Sequence, residues 1–207
     1  MRGIYLFLCC VIALTSFGCR RNLIEAKERV FHRSAKENVA LRAVKKIIVF
    51  PFAPVEGVQL EDDMPYEMAK DLSSQLIESR RLFIVHPDVL KSFLGGELPL
   101  SIEELNAVTR RFGADGFIRP VITRLDISAE KILLEVDVTL FASSQEPREL
   151  IHFHKLYDST SKRLLPLVKA YADMFDIAKG PYGWRIVLVK RSLFYSFVCW
   201  DIVCTAF

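Results

Sequence analysis

The residues best suited to chemistry lie in two short stretches of the C-terminal half. His152 and His154 are two apart in a segment predicted to be a strand, so their side chains share a face and could chelate a metal with one more ligand. Spacing indicates no third ligand, and an exposed pair on a polar strand face is the favoured interpretation. Ser159 and Lys162 match Ser-x-x-Lys, in which a lysine can act as the base for a serine. The companion Ser-Asp-Asn and Lys-Thr-Gly motifs are absent, and a Ser/Thr-rich helix start explains the same residues.

Other catalytic patterns are absent from the sequence. It contains no P-loop, dinucleotide fingerprint, nucleophile elbow or HExxH motif. Cys199 and Cys204 are five apart on a predicted helix, which places their side chains roughly 140° apart, too far round the helix to pair with each other. We interpret them as small apolar core residues, although each could form a disulfide elsewhere in an oxidising compartment. The sequence therefore predicts a protein that is not an enzyme and that holds no cofactor or metal.

The N-terminus has the features of a processing signal. Arg2 is followed by an apolar run of eleven residues, Ile4 to Leu14, which suits a signal peptide and is shorter than the roughly 20 residues that span a bilayer. The small residues Ser16 and Gly18 then precede Cys19. We expect residues 1–18 to be a signal peptide that is removed from the mature protein.

This segment resembles the lipobox of bacterial lipoproteins. The resemblance implies that Cys19 is acylated, that the signal is cut between Gly18 and Cys19, and that the new amine is acylated as well. Ser16 stands where lipoboxes usually carry Leu, so an ordinary signal peptide cut after Gly18 and an uncleaved anchor are the alternatives. Because Arg20 rather than Asp follows the cysteine, lipoprotein sorting rules favour the outer membrane. We expect an anchor on its periplasmic face.

Composition limits the remaining possibilities. The 207 residues carry 28 basic and 25 acidic side chains, a net charge of +3. This balance gives no electrostatic reason to expect a nucleic-acid partner. The five cysteines contain no CxxC pair, so neither a redox motif nor a structural zinc site is predicted. The chain is long enough for one compact domain and an appendage.

The predicted order of elements is βαβαβ followed by a β-meander and two helices. Residues 19–46 are expected to form the lipidated N-terminus and a charged helical tether, and residues 47–207 a single domain. The fold class is α/β (α+β), with a three-layer-like mixed sheet. The predicted strands are 47–50, 82–85, 116–122 with a break or a change of direction at Pro120, 131–141 and 149–156. The predicted helices are about 65–79, a short one ended by Gly95 and Gly96, one from the capping box of Ser101 and Glu104 to Gly113, about 162–178 and about 184–204.

Three short motifs add a family resemblance. The segments IIVFPF, LSSQLIESRRLFIV and VTRRFGADGFIRPVIT resemble the envelope α/β domain shared by the curli secretion lipoprotein CsgG, the penicillin-binding-protein activator LpoB and the N-terminal domain of TolB. The resemblance covers about residues 47–124, or 47–156 at its widest, and implies the same fold. Its motif residues are Pro51 and Phe52 after the first strand, and Gly113 and Asp115 before the third. We expect Gly113 to be left-handed and Asp115 to accept hydrogen bonds from local backbone amides.

The resemblance leaves several functions open. The leading expectation is a non-catalytic protein-binding or assembly module in the periplasm, with an unidentified envelope protein as partner. The alternative is a subunit of an oligomeric secretion or transport complex, and the third is a secreted enzyme. Every connection from 47 to 156 is short, which argues against a pore built from long hairpins. Of the 22 residues from Ile186 to Phe207, 16 are apolar; a core or docking helix is favoured there over a membrane-surface segment.

Overall fold

The computed structural model describes residues 44–61, 63–80, 82–95, 101–177 and 182–207. The predictions for the signal peptide, for Gly18 and Cys19, and for nearly all of the tether lie outside these residues. Lys46, assigned to the tether, is the first residue of a strand. Among the described residues, no helix has both the length and the apolar character needed to span a bilayer.

Six strands and six helices form the described chain. The strands are β1 Lys46–Val49, β2 Ala53–Pro54, β3 Phe83–Val85, β4 Gly116–Ile127, β5 Ile132–Ala142 and β6 Arg148–Asp158. The helices are α1 Met64–Arg80, α2 Pro87–Leu94, α3 Ile102–Arg111, α4 Leu165–Met174, α5 Ile186–Val189 and α6 Arg191–Ala206. A 3-10 turn, Gly183–Arg185, precedes α5.

The strands form one mixed sheet in the order β3-β1-β4-β5-β6, with β2 also paired to β4. The pairs β1–β3, β1–β4 and β2–β4 are parallel, whereas β4–β5 and β5–β6 are antiparallel. Helical crossovers connect the parallel strands and tight turns connect the antiparallel ones, as expected for these two kinds of pairing. The predicted fold class and the β-meander are therefore confirmed.

The two faces of the sheet are covered unequally. Helices α1, α4 and α6 bury the first face in the larger apolar cluster, and α2 and α3 cover one end of the second face. The alternation in β5 decides which side chains meet each layer, because successive strand residues point to opposite faces. As predicted, the even-numbered residues from Ile132 to Leu140 all lie in the larger cluster. The rest of the second face carries polar side chains of β5 and β6 together with Leu133 and Leu156.

Strand β4 differs from its prediction because it continues to Ile127 without a break at Pro120. Ile118 and Ile122 accept hydrogen bonds from Phe50 and Val55, on the side where β1 and β2 lie. Pro120 lies midway between Ile118 and Ile122, so its backbone nitrogen points to the same side as theirs, into the gap between β1 and β2. The missing N–H of proline therefore removes no hydrogen bond to β5. The irregularity lies after Ile122, where the register with β5 shifts.

Helical boundaries also differ from the predictions. Helix α4 is shorter than 162–178, although Pro166 does lie in its first turn. The predicted helix 184–204 is divided at Lys190, whose ψ of 111° is extended. The change of direction lets Val187 and Phe194 both reach the core while Val189 is exposed. Neither glycine nor proline marks this position, so the sequence gives no sign of the break.

Helix α6 is a core element, as favoured from the sequence. Its buried side chains lie in the larger cluster and surround the helix almost completely: Phe194, Tyr195, Phe197, Val198, Cys199, Trp200, Ile202, Val203 and Ala206. Its main neighbours are α1, α5, β6 and α4. A helix that is apolar all round is stable only when other elements enclose it. The apolar C-terminal segment therefore completes the domain.

One charged residue lies within this apolar helix. Asp201 is only 2% exposed, and its Oδ2 accepts hydrogen bonds from Lys155 Nζ at 2.5 Å and from the Tyr157 hydroxyl at 2.7 Å. Burial and the adjacent carboxylate raise the pKa of Tyr157 well above its usual value. The buried carboxylate is thus paired with a cation and a hydroxyl of β6, as a charge in the interior must be.

This contact predicts strong coupling between β6 and α6. Lys155→Met should lower the free energy of unfolding by about 3 kcal/mol, because it leaves a buried carboxylate without its cation. Adding Asp201→Asn should recover part of the loss, since the amide still accepts a bond from Tyr157. Urea unfolding of the two variants measures both effects.

Arg191→Met supplies the control, because it removes the exposed ion pair of Arg191 with Glu61 and should cost less than about 1 kcal/mol. Equal losses for Lys155→Met and Arg191→Met would contradict the coupling.

Candidate functional site

A shallow groove lies beside the edge strand β3. It has a volume of about 290 Å³ and is bounded by α1, β3 and the start of α2. Ile77 and Ile84 form its apolar part. Its other lining residues are polar or lie at the α2 N-terminus: Lys70, Ser73, Ser74, His86, Pro87 and Asp88. A pocket with an apolar patch and a few polar groups can take one side chain of a bound segment.

An ion network forms the polar side of this groove. Lys70 Nζ is 3.0 Å from Asp88 Oδ1 and 3.1 Å from Glu67 Oε1. The hydrogen bond from Lys70 is the main reason that the pKa of Asp88 lies below its usual value. His86 caps α2 by accepting the Asp88 amide on Nδ1. The start of α2 is therefore held against α1 beside β3.

Strand β3 presents a free edge next to the groove. The Phe83 amide donates to the carbonyl of Lys45, the residue directly before β1, so the backbone N–H and C=O of Ile84 point away from β1. Within the described residues β3 ends the sheet, with no strand beyond it. The Phe83 side chain is 73% exposed. This edge offers main-chain hydrogen bonds and apolar side chains together.

The opposite edge of the sheet has different chemistry. Strand β6 is 11 residues long and carries ionisable side chains along its length. Charged side chains on an edge strand oppose the addition of another strand. Leu156 is its exposed apolar residue, at 47%. The two edges therefore form a natural pair for comparison, one apolar and short, the other charged and long.

The two histidines share a face of the sheet, as predicted, and the structure adds two carboxylates beside them. His152 Nε2 lies 2.8 Å from Asp137 Oδ2. His154 Nε2 lies 3.3 Å from Glu135 Oε1, and its Nδ1 is 3.7 Å from Asp137 Oδ2. Sequence reasoning missed these carboxylates, although the antiparallel register of β5 and β6 would have identified them. In the part of the chain that the structure describes, no three such residues could hold a metal ion.

The Ser-x-x-Lys match forms a turn before α4. Ser159 is buried, and its hydroxyl accepts a hydrogen bond from the Ile132 amide at 2.9 Å. The amides that follow are satisfied by Asp158 and by Ser161, which accept from Thr160 and Arg163. The predicted helix start at these residues is wrong, because α4 begins at Leu165 with no side-chain cap. Ser159 connects β6 to β5.

The four residues of the fold motif have structural positions. Pro51 and Phe52 are buried between β1 and β2, after β1 has ended at Val49. Gly113 has φ of 59° and ends α3, as predicted. Asp115 Oδ2 accepts the amides of Lys45 at 3.0 Å and Lys46 at 2.9 Å.

The prediction that Asp115 would bond local amides is therefore wrong. Its partners are distant in sequence, because β1 and β4 are adjacent parallel strands and bring the two chain segments together. The carboxylate fixes the start of β1 against the start of β4. Lys46 Nζ strengthens this junction by donating to the Phe112 carbonyl at 2.6 Å.

Sequence reasoning placed the start of β4 at Gly116 correctly but missed why a glycine is needed there. A Cβ atom there would lie 2.5 Å from the Phe141 carbonyl oxygen, a distance that real side chains do not tolerate. The glycine allows β4 and β5 to approach at this point. Its position directly after the Gly-Ala-Asp turn was the available signal.

Cys199 and Cys204 are not bonded to each other, in agreement with their predicted separation. Cys199 is buried and its thiol donates to the Met68 carbonyl at 3.4 Å, whereas Cys204 is exposed. Burial raises the pKa of the Cys199 thiol well above its usual value, which makes it unreactive. The interpretation as a core residue is confirmed for Cys199 and wrong for Cys204.

No protein-family model matches this chain, and no curated protein matches it. Solved structures similar to it include lipoprotein GNA1162 from Neisseria meningitidis, at 14% identity and a TM-score of 0.47, over 66% of this chain and 99% of the other. The hypothetical protein CT253 from Chlamydia trachomatis is 13% identical with a TM-score of 0.43, over 77% and 94%. The LpoB C-terminal domain from Salmonella enterica is 10% identical with a TM-score of 0.43, over 58% and 93%.

These structures include lipoproteins of the kind that the sequence resemblance named. At such identities and TM-scores, however, the likenesses carry no argument about function.

The Asp115 junction gives a direct test of the fold motif. Asp115→Ala should lower the free energy of unfolding by about 2 kcal/mol, because two backbone amides lose a charged acceptor. Asp126→Ala is the matched control, since Asp126 forms an exposed ion pair with Arg124 at 2.8 Å, and it should cost less than about 1 kcal/mol. Urea denaturation compares them, and equal losses would refute a special role for Asp115.

Proposed function

We propose that this chain is a lipid-anchored protein of the cell envelope that binds an extended segment of another envelope protein along β3, without catalysing a reaction. The observation that carries this proposal is the exposed apolar edge: the Phe83 side chain lies on one face of β3, and Ile84 lies with Ile77 in the groove on the other face. An extended segment that pairs with such an edge gains main-chain hydrogen bonds, and pockets for alternate side chains give specificity.

The geometry supports an extended partner more than a compact one. Ile84 turns its backbone groups outward and its side chain into the groove, so one residue serves both parts of the recognition. A partner strand would place every second side chain on the groove side. The groove volume suits one medium-sized apolar side chain, and Lys70 with Asp88 would contact polar neighbours of that side chain.

The proposed localisation rests on Cys19. Acylation there would hold the protein at the membrane, since each buried methylene contributes about 0.8 kcal/mol, and the residue after Cys19 favours the periplasmic face of the outer membrane. A partner would then be another protein of the envelope. We assign no ligand to the sheet face that carries His152 and His154, because each imidazole is already paired with a carboxylate of β5.

If the partner binds along β3, substitutions at the two sheet edges should differ in their effect on partner binding. Phe83→Ser should reduce recovery of the partner at least tenfold, whereas Leu156→Ser, an equally polar change at β6, should leave it unchanged. The measurement is quantitative mass spectrometry of proteins that co-purify with the tagged full chain from detergent-solubilised membranes.

Loss of the same protein from both variants, or from neither, would refute binding at β3. If copies of this chain alone are recovered through Phe83, the oligomeric alternative replaces a separate partner.

The anchor predicts a defined chemical modification. Mass spectrometry of the mature chain from membranes should show an N-terminal residue 19 that carries acyl chains, and globomycin should cause the unprocessed precursor to accumulate. Cys19→Ser should abolish both results. An unmodified Cys19 in the mature protein would contradict lipidation and would favour simple secretion.

A further inference from the structure

The segment from Tyr182 to Arg191 forms a second exposed surface, distinct from β3. Tyr182, Arg185 and Val189 recur at intervals of three and four residues along the 3-10 turn and α5, so they share one helical face. All three are exposed, with Val189 at 78% and Tyr182 at 69%. This face defines the Tyr182 surface.

The opposite side of the same segment is fixed in the domain. Val187 is fully buried, and Trp184, Ile186 and Leu188 pack against the larger apolar cluster. The Lys190 amide donates to the Ile186 carbonyl at 2.9 Å. The exposure of Val189 is therefore a property of a well-packed segment and does not result from a loose end.

The charged side chains of this segment itself all have one sign. The sequence contains no acidic residue between Asp176 and Asp201, whereas Arg185, Lys190 and Arg191 lie in that interval. The Arg185 guanidinium is 5.0 Å from the centre of the Trp184 ring, and Lys169 Nζ of α4 is 5.2 Å from it. Arg191 forms an ion pair with Glu61 of the loop before α1. The surface thus combines aromatic rings, one exposed aliphatic side chain and cations.

We propose that the Tyr182 surface binds the anionic phospholipid surface of the membrane that carries the protein. Tyrosine and tryptophan favour the interface between lipid and water because their rings have an apolar body and a polar edge. Arginine and lysine contribute about 1 kcal/mol each near an anionic bilayer. Val189 would enter the acyl boundary while Arg185 and Lys190 contact phosphate groups.

This inference rests on the proposed anchor at Cys19. About 25 residues separate Cys19 from Val44, and even fully extended they reach no more than about 85 Å. A domain confined to that distance meets the bilayer at a high effective concentration, so a weak surface contact is sufficient to orient it. Orientation would hold β3 in a constant direction toward its partner.

The test uses the mature chain with Cys19→Ser, which carries no acyl group. It should sediment with vesicles of phosphatidylcholine that contain phosphatidylglycerol, and less with pure phosphatidylcholine. The chain has two tryptophans, and Trp200 is buried. A blue shift of fluorescence on adding anionic vesicles would therefore report Trp184.

Two variants and one control identify the surface. Arg185→Gln should lower the partition coefficient about fivefold, and Val189→Asp should abolish binding. Arg110→Gln changes the net charge equally at an exposed residue of α3 and should alter binding less than twofold. Circular dichroism confirms that each variant is folded, which is expected because the changed side chains are exposed.

Equal sedimentation with neutral and anionic vesicles, or equal binding by the chain and both surface variants, would overturn the proposal. Because the experiment contains neither an acyl chain nor a partner protein, its failure is distinguishable from failure of the anchor or of binding at β3.

Discussion

The burial of α6 against the sheet is the constraint on which the rest of the structure depends. This helix is apolar on nearly every side, so it can exist only within the larger core, between β6 and the helices α1 and α4. Its single buried charge, Asp201, is paired with Lys155 and Tyr157 of β6, which fixes how the helix is rotated. Because α6 occupies the first face of the sheet, that face is closed to a partner, whereas the β3 edge and the Tyr182 surface are exposed.

The two edges of the sheet differ in their capacity to pair with an added strand. β6 is long and carries charges, including Lys155, which points inward and is held by Asp201; such a strand is protected from unwanted pairing. β3 has three apolar residues and lies beside a groove that receives Ile84. In the described chain, pairing with an added strand is therefore favoured at one edge and opposed at the other. This asymmetry is the physical basis for proposing a binding module.

The sequence predicted those parts of the fold that depend on local patterns. Alternation in 131–141 identified β5, the Ser101–Glu104 capping box identified the start of α3, and Gly113 marked its end. Features that depend on tertiary pairing could not be read in this way. The partners of Asp115 lie at the start of β1. The register of β5 and β6 places two carboxylates beside His152 and His154, and the break at Lys190 has no local signal. The exposure of Phe83 is of the same kind, since an apolar residue in a short strand is usually buried.

The central claim is that β3 is the docking edge, and site-specific photocrosslinking in living cells tests it most directly. A photoreactive residue is placed at position 83 of the full chain in one strain and at position 156 in another. The account predicts one discrete adduct with another envelope protein from position 83 and none from position 156. Adducts of the same size and yield from both positions, or from position 156 alone, would contradict it.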